Sequence, residues 1–182
     1  MWACDDPNSW IPVPGTTTGR LGAAALELFG SQGLAPVAVG AIAKRAGVTT
    51  GSLYHHFDSK AGLYRLVRAD VEQRVLDRLE GAAAGRSLRT IADLAPVLLV
   101  GFDYLVSSGF TRLLGEPFPD SSEGSQQPDP IEQLLGRLIA GDGAPVAALI
   151  GAAWRAALSH ASDSPEAAGA ARAALAQLLS GT

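Results

Sequence analysis

The sequence predicts an all-α fold: an N-terminal three-helix unit containing a helix-turn-helix, then a larger helical domain. Three observations carry that prediction. Apolar residues return at intervals of three and four along most of the 182 residues. Hydroxyl residues or prolines stand at the heads of these stretches and glycines follow several of their ends. No stretch alternates apolar and polar residues at the period of a strand, and no internal repeat occurs.

Residues 1–18 carry Pro7, Pro12, Pro14 and Gly15 without a helical period, and are expected to form a mobile arm. A first helix is expected from Thr18 to Gln32, with Leu21, Ala25, Leu28 and Phe29 inward and Gly33 closing it. Val39, Ile42, Ala43 and Ala46 then form an i, i+3, i+4, i+7 stripe that meets Gly47, the residue best suited to a left-handed helix stop. Val48 can fold back on that end, and Thr49 can cap a second short helix that buries Leu53 and Phe57. Thr50, Gly51, Ser52, Tyr54, His55 and His56 are left facing outward. Two short amphipathic helices around a tight turn, the second presenting hydroxyl, aromatic and basic groups, are how a chain builds a helix-turn-helix for the DNA major groove.

Ser59 can cap a longer helix from Lys60 to about Ala84, in which Leu63, Val67, Val71, Val75 and Leu79 recur every four positions. Ser87 is expected to cap a helix through Leu98, Phe102 and Leu105, which Pro96 should start or bend. Pro117 to Pro130 reads as a loop, and Ile131 to Ala140 as a short helix with Leu134, Leu135 and Leu138 on one side. Two helices, Pro145 to Ser162 and Pro165 to Leu179, end the chain, each with proline in its first turn. The expected organisation is an arm (1–18), a helix-turn-helix domain (19–66, the motif at about 38–57) and a helical domain (67–182).

Composition narrows the class. A 47% hydrophobic content with 18% charged residues excludes a disordered chain. The single cysteine, Cys4, excludes an internal disulfide framework and suits a reducing compartment. The start MWACDDPNSW lacks a basic region followed by an apolar one, and no unbroken apolar run is long enough to span a bilayer, so neither export nor membrane insertion is expected and the cytoplasm follows. Net charge is −4, but it is unevenly divided: Gly19 to Asp70 holds six basic residues against three acidic, while Val71 to the end holds eight against thirteen. Positive charge is thus concentrated where a phosphate backbone would need it.

The stretches LGAAALELFGSQG, IAKRAGVTTGSLYHHF and DSKAGL, in that order and spacing, resemble the N-terminal domain of the tetracycline-repressor (TetR) family of bacterial regulators. The resemblance spans Gly19 to Val67, and implies that the second helix of the pair enters the major groove. It further implies that Thr50, Gly51 and His55 read bases, that Ser52, Tyr54, His56 and Lys60 hold phosphates, and that Lys44 and Thr49 belong to the same DNA surface. Relatives usually carry hydroxyl residues where this chain has Val37 and Ala38, so a side-chain cap on the first helix of the pair is missing, at a cost of about 1 kcal/mol. Gly40 and Gly62 are each expected to cost up to about 1 kcal/mol relative to alanine, giving a softer DNA-binding domain.

Catalysis and metal binding have little support. His55 and His56 are adjacent, so they point about 100° apart on a helix, and no third ligand stands at the required spacing. His160 reads as a packed or capping residue. No nucleophile triad, paired carboxylate motif, phosphate-binding glycine loop or calcium loop occurs, so no cofactor is expected.

The last two helices carry a different signal. Val146, Leu149, Ile150, Ala153, Trp154, Ala157, Leu158 and Ala161 make one wide apolar face, and Ala147, Ala148, Gly151, Ala152 and Ala156 a second, small-residue face on which Arg155 is the lone charge. A helix apolar all round must be covered on both sides. The small-residue face is expected to meet a second copy, giving a homodimer through the last two helices. The family resemblance also implies an effector pocket, for which Leu98, Phe102, Leu105, Phe110, Leu114, Phe118, Leu134, Leu138 and Trp154 are the candidate lining, suited to a small, mostly apolar molecule. A ligand-responsive repressor is the favoured reading. The alternative is a small helical binding protein or enzyme that retains an unused helix-turn-helix.

Overall fold

Thr16 opens the first helix, its hydroxyl oxygen accepting the Gly19 N–H at 3.0 Å. In this computed structural model, which describes residues 15–117, 129–139 and 143–181, that helix is α1 (Thr17–Gln32). Leu21, Ala25 and Phe29 are buried as expected, whereas Leu28 is half-buried. Gly33 ends α1 at φ 78°, a conformation glycine adopts freely, and donates to the Phe29 carbonyl. The first eighteen residues fall largely outside the described part, apart from the few that lead into α1.

Helices α2 (Val39–Ala46) and α3 (Thr50–Phe57) follow. Gly47 between them is left-handed at φ 66° and ψ 38°, and the Val48 N–H returns to the Ala43 carbonyl at 3.0 Å, closing the end of α2. The Thr49 hydroxyl accepts the Ser52 N–H at 3.2 Å, capping α3. Ala38, at the head of α2, offers no such cap.

Ser59 starts α4 (Lys60–Ala83) by accepting the Gly62 N–H at 2.9 Å. The four-residue stripe Leu63, Val67, Val71, Val75 and Leu79 is buried throughout. Phe29, Leu21, Ile42, Leu53 and Leu63 form the core of the first unit, and the Phe29 ring meets Tyr64 edge-on at 5.1 Å. The chain divides into two compact units within α4, between Asp70 and Val71.

Gly62 corrects an expectation. It stands where the chain reverses from α3 into α4, with Asp58 at φ 60° and the Ser59 N–H on the Phe57 carbonyl at 2.6 Å. A Cβ on Gly62 would collide with that same Phe57 carbonyl oxygen. The glycine is therefore required by a close backbone approach and is no local weakness. Gly40 has nothing within 4 Å of a Cβ, so its expected cost stands.

In the second unit Ser87 caps nothing. The next element is a 3-10 turn, Ile91–Leu94, headed by Thr90. Asp93 organises it: one carboxylate oxygen accepts the Arg89 N–H at 2.9 Å, the Thr90 N–H at 2.8 Å and the Thr90 hydroxyl at 2.9 Å. These donors hold the Asp93 carboxyl below its usual range, the backbone bonds first. Pro96 lies in the first turn of α5 (Ala95–Ser108), where its missing N–H does no harm.

A five-residue helix absent from the expectation, α6 (Thr111–Gly115), comes next. Helix α7 (Pro130–Leu138) is capped by Asp129, which accepts the Ile131 N–H at 2.8 Å. Helices α8 (Ala144–Ala161) and α9 (Pro165–Ser180) complete the unit, the latter capped by Ser164. The expected loop between Pro117 and Pro130 lies mostly outside the described residues.

Trp154 of α8 is fully buried, and its indole N–H donates to the Leu98 carbonyl at 3.1 Å. Gly101 lets α5 approach closely, since a Cβ there would stand 3.0–3.3 Å from Leu79, Val75 and Trp154. The segment Ile91–Ser108 is long and apolar enough to cross a membrane by composition. Here its Leu98, Phe102 and Leu105 have no exposed surface, and Asp103 is held bidentately by Arg172 of α9 at 2.7 and 2.9 Å, as befits a core helix.

Candidate nucleic-acid interface

Helix α3 can present a polar face because two apolar residues, Leu53 and Phe57, anchor it from beneath. Thr50, Gly51, Tyr54 and His55 are exposed, and Tyr54 keeps 52% of its surface. Ser52 and His56 are half-buried. The Ser52 hydroxyl is 3.0 Å from that of Thr49, and the His56 ring stands edge-on to both His55 and Phe57. The sequence-derived outward set therefore shares one surface, with Ser52 and Thr49 partly engaged in the cap.

Basic groups flank this surface. Lys44 and Arg45 lie in the last turn of α2, where cations favour the helix dipole. Arg45 pairs with Glu27 of α1 at 2.7 Å, but both side chains are more than half exposed and the pair contributes little to stability. Arg20, one of the six basic residues between Gly19 and Asp70, reaches towards the α2–α3 turn: its guanidinium is 3.9 Å from where a Cβ on Gly47 would stand. Nothing in the local pattern around Arg20 signals that reach, because it depends on the crossing of α1 and α2.

Lys60 is placed differently from its expected neighbours. Its ammonium donates to the Leu34 and Val37 carbonyls, each at 2.9 Å, and to the Ala35 carbonyl at 3.4 Å. It is half-buried.

A capped α3 behind a glycine turn and α2, held by this core, is the arrangement a groove-reading helix needs. Residues 21–67 match the family model described as bacterial regulatory proteins, tetR family. This stretch is a tetR-family domain. Over 40 residues, 22% of this chain, the sequence is 50% identical to the HTH-type transcriptional regulator AcrR of Shigella flexneri, and it spans about a fifth (19%) of the length of that curated relative. The fold beyond the tetR-type domain is shared as well. A solved structure described as a tetR family transcription regulator from Shewanella sp. PV-4 superposes with a TM-score of 0.62 at 24% identity, covering 91% of this chain and 97% of that one. A gamma-butyrolactone receptor (ArpA like protein) gives 0.54 at 19% identity, covering 91% and 96%.

The candidate effector residues separate into groups. Leu98, Phe102, Leu105, Leu114 and Trp154 have no exposed surface and Leu134 almost none, so they are packed core in this conformation; Phe110 is half-buried, and Phe118 lies outside the described residues. Leu138 instead lines a cavity of about 210 Å³ with Leu88, Arg89, Thr90, Ile91, Leu94 and Ile139. Apart from Ile139, which ends α7, those partners belong to the segment around the Ile91–Leu94 turn, where a regular helix was expected.

The small-residue face of α8 is corrected in part. Ala147 is 1% exposed and packs towards Gly136 of α7, while a Cβ on Gly151 would stand 2.9 Å from Glu132, so α7 of the same chain covers these two positions, whereas Ala152 and Ala156 stay exposed. The open apolar surface is a groove of about 450 Å³ lined by Ala153, Ala157 and His160 of α8 and Ala167, Ala170, Ala171, Ala174, Leu175 and Leu178 of α9. Leu149 and Leu178 remain 73% and 63% exposed.

Proposed function

We propose that this chain is a dimeric transcriptional repressor that reads a pseudo-palindromic operator with α3 and releases it on binding a small, mostly apolar effector. One observation carries the DNA part: α3 is anchored by Leu53 and Phe57 and turns Thr50, Gly51, Tyr54 and His55 outward beside a basic α2 end. Thr50, Gly51 and His55 are the base-reading residues, and Ser52, Tyr54 and His56 hold the backbone, with Lys44 and Thr49 beside them. Selecting bound sequences from a random DNA pool tests this reading. Two half-sites about 34–36 Å apart, or a near multiple, are expected. Recovery of no enriched sequence would remove the proposal. Thr50→Ala should relax preference at one base position by about 1–3 kcal/mol, whereas Tyr54→Ala should weaken all sequences alike, as competition against single-base operator variants will show.

The second copy sits on the alanine groove of α8 and α9. Small side chains allow close helix approach, and two exposed leucines supply apolar area. Leu178→Glu is expected to shift the chain from dimer to monomer in sedimentation and to reduce operator affinity by at least about tenfold, since two half-sites would no longer be bound together. An unchanged mass would place the interface elsewhere.

The effector enters at the Leu138 cavity. Its volume of about 210 Å³ is below the roughly 300–1,000 Å³ usual for ligand sites, so a larger effector displaces part of the Leu98, Phe102, Leu105 and Trp154 packing. Such a ligand favours whichever dimer geometry accommodates it. As a regulator of this kind the chain performs no catalysis, and it acts in the cytoplasm.

A further inference from the structure

A lysine ammonium has three donors and no acceptor, so the three carbonyls of Leu34, Ala35 and Val37 use every proton Lys60 can offer. A positive charge in the first turn of α4 opposes the helix dipole, and the carbonyl partners offset that. All three belong to the loop that delivers the chain into α2. That is the helix whose first residue lacks a side-chain cap, because Ala38 stands at the cap position. Two facts thus meet in one place: a helix start without its own fastening, and a cation from another helix fastened to the loop before it.

We propose that Lys60 is a positioning residue for DNA binding, fixing the Leu34–Val37 loop so that α2 and α3 keep their placement. It acts from α4 in place of a hydroxyl at position 38, and reaches the duplex through α3 and not through a phosphate. This rests on the reading of α3 as the DNA-reading helix.

The test uses the full chain and the operator selected as above. Lys60→Met keeps the apolar stem and removes the donors. It should weaken operator binding about five- to tenfold, lower the thermal midpoint by several degrees and leave the slope of log K against log[salt] unchanged. Ala38→Ser supplies the missing cap, so in the Lys60→Met background it should restore most of the lost affinity and midpoint, and more than it adds to the wild type. A loss confined to general destabilisation would not be repaired selectively from position 38. The same Lys60→Met change made in the capped Ala38→Ser chain, which stays folded, should cost less than in the wild type. A salt slope lowered by about one, with an unchanged midpoint and no repair by Ala38→Ser, would overturn the proposal in favour of a direct phosphate bond. If the wild type binds no DNA, the DNA reading fails, while equal midpoints for Lys60→Met and wild type would independently overturn the clamp.

Discussion

Gly62→Ala is expected to destabilise the N-terminal unit by about 2–3 kcal/mol, although alanine is the better helix former. Gly62 lies in the first turn of α4, and a Cβ there would strike the Phe57 carbonyl oxygen. That oxygen cannot swing aside as a flexible side chain would. It is backbone, it already accepts the Ser59 N–H, and it follows the buried Phe57 that anchors α3. Relief therefore requires α3 and α4 to separate, which disturbs the residues proposed to read DNA. Gly40→Ala is the control of opposite sign. With nothing within 4 Å of its Cβ, it should stabilise by about 0.5–1 kcal/mol through helix propensity alone. Urea unfolding followed by circular dichroism, with hydrogen exchange of the α1–α3 amides, separates the two. A Gly62→Ala chain as stable as wild type would remove the requirement argued for this glycine.

The contrast shows what the sequence could reveal. Both glycines sit in helices, and propensity assigns both the same cost. Only the tertiary path of the α3–α4 turn distinguishes them. Periodicity served well where one helix buries one stripe, as in α4, whose five residues from Leu63 to Leu79 are all buried. The Gly47 stop and the Thr49 cap were legible because each is a local rule with a local partner. Helix α6 escaped notice because five residues, Thr111–Gly115, complete little more than one turn of any pattern. In α8 the alanines were ambiguous: an apolar side names no neighbour, and α7 covers Ala147 and Gly151 while Ala153 and Ala157 line the open groove. The Lys60 ammonium could not be placed from sequence, since its carbonyl partners lie 23 to 26 residues earlier.

Arg155→Met is expected to destabilise the second unit by about 2–4 kcal/mol, and the loss should shrink on acidification. The guanidinium donates to the Leu114 carbonyl at 2.9 Å and to Glu72 at 3.3 Å, and pairs with Asp129, so one side chain of α8 joins α4, α6 and the cap of α7. Arg155 is 18% exposed, Glu72 17% and Asp129 24%, which makes these carboxylates costly to leave without their cation. Glu132 stands nearby, and burial first, then the Asp129 charge, raises its carboxyl above the ordinary glutamate range while Arg155 lowers it. A carboxyl raised on folding holds its proton more readily in the folded chain. It favours folding below its unfolded value and withdraws that support as pH rises through the folded one. Glu132→Gln should therefore stabilise the wild type near neutral pH, with a gain that fades in acid. In Arg155→Met, Glu132 loses the nearby arginine that lowers it, so its protonation should recover more of the lost stability than in the wild type. Urea midpoints at about pH 7.5 and about pH 5 for the two single variants and their combination measure this. A deficit in Arg155→Met that stayed the same at both pH values would mean that the arginine does not act through its charge on these carboxylates.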